Sequence, residues 1–320
     1  MMGIGGVGLL LAFIAFGENQ HARFWTNILS NIYYFTGISL FGLFIVAAGQ
    51  IAYGSWQTLE KRIFLSIGAF ASIGGFLLLG ILLLGYAHVH SLYNPVFNIL
   101  KTGKGNPIYT TKLVYFAQIF WYRRVLVYSI LWFLFSRALN NFFARPDSPD
   151  PKVYKRSKML CAAFIVVFAL TESFISWDVV MSLDPQWFST LFGWYNFASY
   201  GCAALAMTIL LVIFLKSKGY LEAINENHVH DLGKLLFGFS IFWTYLWFDQ
   251  FMLQWYGNIP EETIYFKIRL QGPYEGLFYL NLVLNFLAPI LIFMKRATKR
   301  NYFIVTFMCI LIIVGHWLDF

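Results

Sequence analysis

Nine apolar runs, at about 2–16, 29–53, 63–87, 119–141, 158–178, 192–215, 235–256, 274–294 and 301–319, alternate with short polar breaks along a chain of 320 residues. Most of them reach the roughly 20 residues that cross the hydrocarbon core of a bilayer as a helix. Lipid offers the backbone no hydrogen-bond partners, so runs of this kind must satisfy themselves by coiling. Composition excludes a water-soluble fold: 59% of residues are hydrophobic, 20% aromatic and only 12% charged, about half the charged share of a soluble domain. The expectation is an all-α, polytopic transmembrane helical bundle, one integral membrane domain over 1–320. Spans follow the first short run in such number that a cleaved signal peptide is not needed to explain it. The last run stops at Phe320 inside an apolar helix, which suggests a further, tenth span.

The net charge of +8 reports topology here, and nothing in it calls for nucleic acid. Of 23 Lys and Arg residues, fifteen fall after the second, fourth, sixth and eighth runs. The densest group is Arg137, Arg145, Lys152, Lys155, Arg156 and Lys158. Cytoplasmic loops carry the excess of basic residues, which places these connections and the N-terminus in the cytoplasm. The longest connection, at about 88–118, contains Pro95, Gly103, Gly105 and Pro107 and reads as an irregular crossing on the opposite side. The segment Asp178–Gly193, with Trp177, Trp187 and Phe188 nearby and no Lys or Arg, reads as a loop in the interfacial aromatic belt.

Familiar catalytic signatures are missing from the sequence. There is no phosphate loop, nucleophile elbow, H-E-x-x-H helix or C-x-x-C-H haem attachment. Cys161, Cys202 and Cys309 lie singly in apolar segments and read as packing residues rather than cluster or zinc ligands. His316 is the one histidine placed deep in a span, so a bis-histidine haem lacks its second ligand.

Ionisable side chains inside or at the rim of the spans carry the functional signal, because a charge in the bilayer costs several kcal/mol unless paired or hydrated. Glu172 lies in the fifth run, with Ser176 one turn on and Asp178 near the rim. Asp249 sits in the seventh, with the Tyr245 hydroxyl four residues back on the same face. His316 and Asp319 are three apart and share a face of the last run. Glu172, Asp178, Tyr245, Asp249, His316 and Asp319 are the candidates for a proton path. The competing reading makes Glu172 and Asp249 interhelical packing contacts, gives Asp178 and Asp184 capping or loop roles, and has Arg123 and Arg124 snorkel to headgroups.

Two long motifs then add a family resemblance. Ser176–Gly193 reads S-W-D-V-V-M-S-L-D-P-Q-W-F-S-T-L-F-G, and His230–Phe239 reads H-D-L-G-K-L-L-F-G-F, leading into Y-L-W-F-D-Q-F-M-L-Q-W-Y-G-N-I-P-E-E-T at Tyr245–Thr263. Together with Arg23-Phe-Trp-Thr-Asn-Ile-Leu, Lys299-Arg-Asn and His316-Trp-Leu-Asp319, they resemble the ActF group of NrfD-like (polysulfide reductase NrfD family) membrane subunits. That group belongs to bacterial alternative complex III, a quinol:electron-acceptor oxidoreductase. The resemblance runs from about Arg23 to the end. Two departures stand out: Gln186 occupies a position where the family usually has His, and Asp249 one where a small polar residue is common. A relay through Asp249 would be particular to this sequence.

What the resemblance implies is a ten-span subunit of the bacterial inner membrane, surrounded by lipids and without redox centres of its own. Iron–sulfur clusters and haem c would sit in partners: an iron–sulfur subunit and multihaem c-type cytochrome subunits, beside a sister NrfD-like subunit (ActC) and in some assemblies a terminal oxidase. Menaquinol or ubiquinol would be the substrate of the complex, and this chain would supply membrane structure and a proton path. A second reading lets the chain itself bind quinol, with Arg124, Asp178 and His316 converging at the rim. A third, from another class, is a stand-alone secondary transporter, for which the spans lack paired Gly/Pro breaks in corresponding halves.

Overall fold

The computed structural model describes residues 21–84, 115, 118–144, 150–183 and 187–320. The described residues are helical, with no strand among them. The helices are α1 (His21–Ile51), α2 (Lys61–Gly68), α3 (Ala71–Leu84), α4 (Gln118–Phe143), α5 (Pro151–Ile175), α6 (Phe192–Ser217), α7 (Glu226–Gly257), α8 (Pro260–Gln271), α9 (Glu275–Leu282), α10 (Ala288–Phe293) and α11 (Tyr302–Asp319). Two five-residue π-helical turns interrupt this pattern: Ser176–Val180 prolongs α5, and Val283–Leu287 joins α9 to α10.

Among the described residues, seven helical segments are long and apolar enough to cross a membrane: Phe24–Ile51, Lys61–Leu84, Ile119–Phe143, Pro151–Leu183, Phe192–Ser217, Glu275–Phe293 and Tyr302–Asp319. The described residues are thus all-helical, with the segments of a multi-pass membrane protein. The apolar run at about 2–16 and most of the 88–118 crossing lie outside the described residues, as do Asp184 and Gln186. The run at 235–256 falls within α7, whose 32 residues are ample in length, but whose Trp, Tyr, Gln and Asp content makes it less apolar than the other seven. The run at 63–87 is two helices, α2 and α3, separated at Ala69–Phe70. Asp178 does not open a loop: the helical path continues past it through a 3-10 turn, Met181–Leu183.

Side-chain caps mark where three of these helices start. Asp150 accepts a hydrogen bond from the Lys152 backbone N–H, and Pro151 fills the first helical position of α5. Asn225 and His228 form a reciprocal capping box on α7, whose far end turns at Asn258 in the left-handed region (φ 44°). Asn301 caps α11 through the N–H groups of Phe303 and Ile304.

Packing centres on α1 and α6. Helix α1 contacts α2, α3, α5 and α6, while α6 also contacts α7 and α11. Small residues let the two backbones approach: a Cβ on Gly37 would lie 2.5 Å from the Tyr200 ring, and one on Gly201 would lie 2.6 Å from the Phe41 ring. Each helix therefore lends an aromatic ring to the notch left by the other's glycine. The outward face is apolar in turn; Leu291 and Phe303 are 73% and 81% exposed, and lipid is the solvent that accepts such a surface.

At the end where the basic residues gather, Glu60 occupies the N-cap position of α2, buried and without a side-chain capping hydrogen bond. Burial pushes its carboxyl above the usual range, with His228 and Asp231 nearby acting in opposite senses.

Gly201→Leu should destabilise the bundle by about 1–3 kcal/mol, because the added side chain meets the Phe41 ring in a filled core. Gly238→Leu, where a Cβ meets nothing within 4 Å, should leave thermal unfolding in detergent unchanged and serves as the control.

Candidate functional site

Helix α6 carries Tyr195, Asn196 and Ser199, which the helical repeat brings to neighbouring positions on its inward side. Opposite them, α11 ends at Asp319. The Asp319 carboxylate accepts four hydrogen bonds, two on each oxygen. Oδ1 receives the Tyr195 hydroxyl in a short contact and the Asn281 amide at 2.6 Å. Oδ2 receives the Ser199 hydroxyl at 3.0 Å and the Trp243 indole N–H at 3.1 Å. Four donors from α6, α7 and α9 occupy the lone-pair positions that a carboxylate offers.

Ser199 also lies 3.0 Å from His316 Nδ1. Its single hydrogen is committed to Asp319, so its lone pair accepts from an Nδ1–H of His316. The neutral imidazole then has its proton on Nδ1 and a bare acceptor on Nε2. Nε2 is buried without a hydrogen-bond partner among the described residues, and the Trp243 ring packs edge-on against the imidazole at 5.1 Å. Thus His316 and Asp319, three residues apart on α11, are linked across Ser199. Asn285, in the second π turn, donates to Asn281. Its amide occupies the space beside Gly315, where a Cβ would approach Oδ1 to 2.2 Å. Glycine at that position lets α11 close on the asparagine pair.

A cavity of about 430 Å³ opens over this cluster at the end of the bundle away from the basic connections, and Asp319, Tyr195 and Asn281 line it. Asn196 lines it too and donates to the Tyr33 hydroxyl at 3.3 Å. Behind Asn196, Glu172 is 4% exposed, with Oε1 lacking a hydrogen-bond partner among the described residues. The Tyr33 and Tyr200 hydroxyls are within electrostatic range of it. Asn196 and Tyr33 therefore lie between the cavity and a carboxyl enclosed among α1, α5 and α6.

A second charged site lies on α4 and the first π turn. Arg124 Nε and Nη2 grip Asp178 at 2.9 and 2.7 Å, the fork-to-fork geometry of a strong charge-assisted pair. Arg124 Nη1 also donates to the Tyr115 carbonyl at 2.8 Å, and its guanidinium lies over the Tyr115 and Phe120 rings. Tyr128 donates to Asp178 Oδ2 at 3.3 Å, and Trp121 to the Asp178 carbonyl at 2.9 Å. Asp178 is 0% exposed. The extra residue of the π turn rotates the helix face, so that Ser176, Asp178 and Val179 are all buried. Arg124 does not snorkel, and His316 belongs to the other cluster.

Tyr245 and Asp249 are not drawn to either site. Tyr245 is 62% exposed, and Asp249, on the same outward-leaning flank of α7, makes no hydrogen bond or ion pair with the described residues. The buried positions of α7, among them Ser240, Trp243, Leu246, Gln250 and Gln254, fall at intervals of three and four. That phase turns Gln250 inward and its neighbour Asp249 away. Ser199, Tyr195, Trp243 and Asn281 escape sequence reasoning because each is a single polar or amphipathic residue in an apolar span. The one available signal was the four-residue spacing of Asn281 and Asn285 within the eighth run. Among the described residues, no three His, Cys, Asp or Glu side chains converge closely enough to ligate a metal ion.

No protein-family model matches the chain, and no curated protein matches it.

Removing one partner of a buried ion pair strands the other charge, at a cost of about 3–5 kcal/mol. Arg124→Leu should therefore lower the unfolding midpoint sharply, and the double variant Arg124→Leu/Asp178→Leu should recover most of the loss. Denaturant titration of the three proteins in one detergent checks this.

Proposed function

We propose that this chain is an ActF-type, NrfD-like membrane subunit of an alternative complex III in the bacterial inner membrane, and that it moves protons while partners move electrons. In this reading quinol is oxidised by the complex, and electrons pass through the clusters of an iron–sulfur subunit to the haem c groups of multihaem cytochromes. A sister NrfD-like subunit and, in some assemblies, a terminal oxidase complete the partners. The basic end of the bundle faces the cytoplasm and the Asp319 cavity faces the opposite side.

The observation that carries the proposal is the continuous line from His316 through Ser199 to Asp319 at the floor of an outward cavity. A proton reaching His316 Nε2 makes an imidazolium, and its Nδ1 proton passes to Ser199 as the serine hydrogen passes to Asp319 Oδ2. From Asp319 the proton leaves to the cavity, where the Tyr195 hydroxyl and the Asn281 amide hold the carboxylate in place. No bond other than O–H and N–H changes, and no electron is needed. Glu172, within electrostatic range of the Tyr33 hydroxyl that Asn196 reaches from the cavity, is a second holding point further in. The Arg124–Asp178 pair serves as a fixed brace between α4 and α5. The resemblance carried by Ser176–Gly193, His230–Thr263 and His316–Asp319, and spans without paired Gly/Pro breaks in corresponding halves, support this assignment over a transporter.

Mild-detergent purification of the tagged chain, with mass spectrometry of what stays bound, tests the assignment. Recovery of an iron–sulfur subunit, multihaem c-type subunits and a second NrfD-like protein is expected; recovery of this chain alone, while those partners remain intact in the extract, would overturn it. In the assembled complex Ser199→Ala should lower protons moved per electron while quinol oxidation continues. An unchanged ratio would rule the relay out.

A further inference from the structure

Helix α5 opens with a concentration of positive charge that the described fold does not balance. Lys152, Lys155 and Lys158 follow at intervals of three and share a flank of its first two turns. None of the three forms an ion pair among the described residues. Asp150, the nearest acid in sequence, turns Oδ1 to the Lys152 backbone N–H. Like charges one turn apart repel, and cations at a helix N-terminus oppose its dipole. An anion laid along the flank relieves both. Lys158 is held in place for it: its Nζ lies 3.5 Å from the centroid of the Tyr53 ring and 5.6 Å from that of Tyr154. Tyr53, just past α1, is exposed and takes a left-handed conformation (φ 55°) where glycine is usual. Gln50 Nε2 donates to Ser157 at 2.9 Å and ties the end of α1 to the same turn of α5.

Beyond the lysines the flank becomes apolar. Met159 is 68% exposed, and Ala163, Val166 and Leu170 are exposed with it. With Lys152 and Lys155 these residues keep the three- and four-residue spacing of one helix face. From Met159 to Leu170 the helix rises about 16 Å, close to one leaflet's share, about 15 Å, of a bilayer's hydrocarbon core. A charged head followed by an apolar track of that length matches one amphiphile lying along α5. We propose that this flank binds an anionic phospholipid of the leaflet at the basic end, with its phosphate on Lys155 and Lys158 beside Tyr53 and an acyl chain along Met159, Ala163, Val166 and Leu170. Lys152 meets the outer part of the headgroup. The inference is independent of the complex that the chain joins, so its failure leaves the assignment above untouched.

The test is photolabelling of the tagged chain, purified in mild detergent with the partners it retains, by a phosphatidylglycerol carrying a diazirine on one acyl chain. The expected adduct maps to residues 159–170 and is competed by unlabelled phosphatidylglycerol, but not by phosphatidylcholine or inorganic phosphate. Lys152→Gln/Lys155→Gln/Lys158→Gln should weaken labelling at least about tenfold, since each lysine at an anionic surface is worth about fivefold. Lys218→Gln/Lys295→Gln/Arg296→Gln removes the same charge from exposed positions elsewhere at that end and should leave labelling unchanged. Equal loss in both triple variants overturns the inference, because the lysines then act only through the general charge of that end. Equal competition by phosphatidylcholine overturns it by showing that the lipid's charge is not read, and competition by inorganic phosphate does so in favour of a free-anion site. Absence of the adduct also overturns it; an adduct that appears only after the partners are stripped away assigns the flank to a protein partner instead. Should the α5 variant fall short of the wild-type unfolding midpoint, Lys152→Gln/Lys155→Gln, at exposed positions only, takes its place with the same expected loss.

Discussion

A carboxylate drawn away from bulk water at the edge of a lipid-solvated bundle must be surrounded by donors, and the Asp319 carboxylate takes four of them from three other helices. That requirement ties the ends of α6, α7, α9 and α11 together and fixes the floor of the cavity. Interior features follow from it. Asn281 must lean inward, so Asn285 is placed behind it, and Gly315 must lack a side chain to leave room. Ser199 is committed to Asp319 and can therefore only accept from His316. The protonation pattern of the imidazole is thus a consequence of the carboxylate's needs.

Both charged centres depend on π turns. An α-helix presents a given face every 3.6 residues, which cannot bury Ser176 and Asp178 together with Glu172 on the preceding turns; one extra residue per turn re-phases the face. The first π turn delivers Asp178 to Arg124, and the second, just beyond Asn281, holds Asn285 against α11. The two sites differ in kind. The Arg124–Asp178 pair is bidentate, enclosed and backed by aromatic rings, which suits a brace. The Asp319 cluster is built of neutral hydroxyl, amide and imidazole groups able to pass protons, and it meets a cavity.

The all-helical bundle was legible from the lengths of the apolar runs alone, because backbone hydrogen bonding in lipid leaves few alternatives. His316 and Asp319 were legible as neighbours from a three-residue spacing. The remaining geometry was not, for physical reasons. Helix α7 is aromatic all round, so hydropathy could not phase it, and the visible charge at Asp249 drew attention from the buried amide at Gln250. The stretch after Trp177 looks like a loop because it is aromatic, acidic and contains Pro185, yet a π turn carries the helix on to Leu183. The partners of Asp319 lie 38 to 124 residues away, and no local pattern announces contacts at that distance.

In the proposed relay, Asp319 changes its hydrogen bonding or protonation as the assembled complex turns over. Redox-induced infrared difference spectroscopy on the purified complex addresses it directly. A carboxyl or carboxylate signal that disappears in Asp319→Asn and persists in Asp249→Asn is the expected result. A difference spectrum indifferent to Asp319→Asn, in a variant that assembles and oxidises quinol, would contradict it.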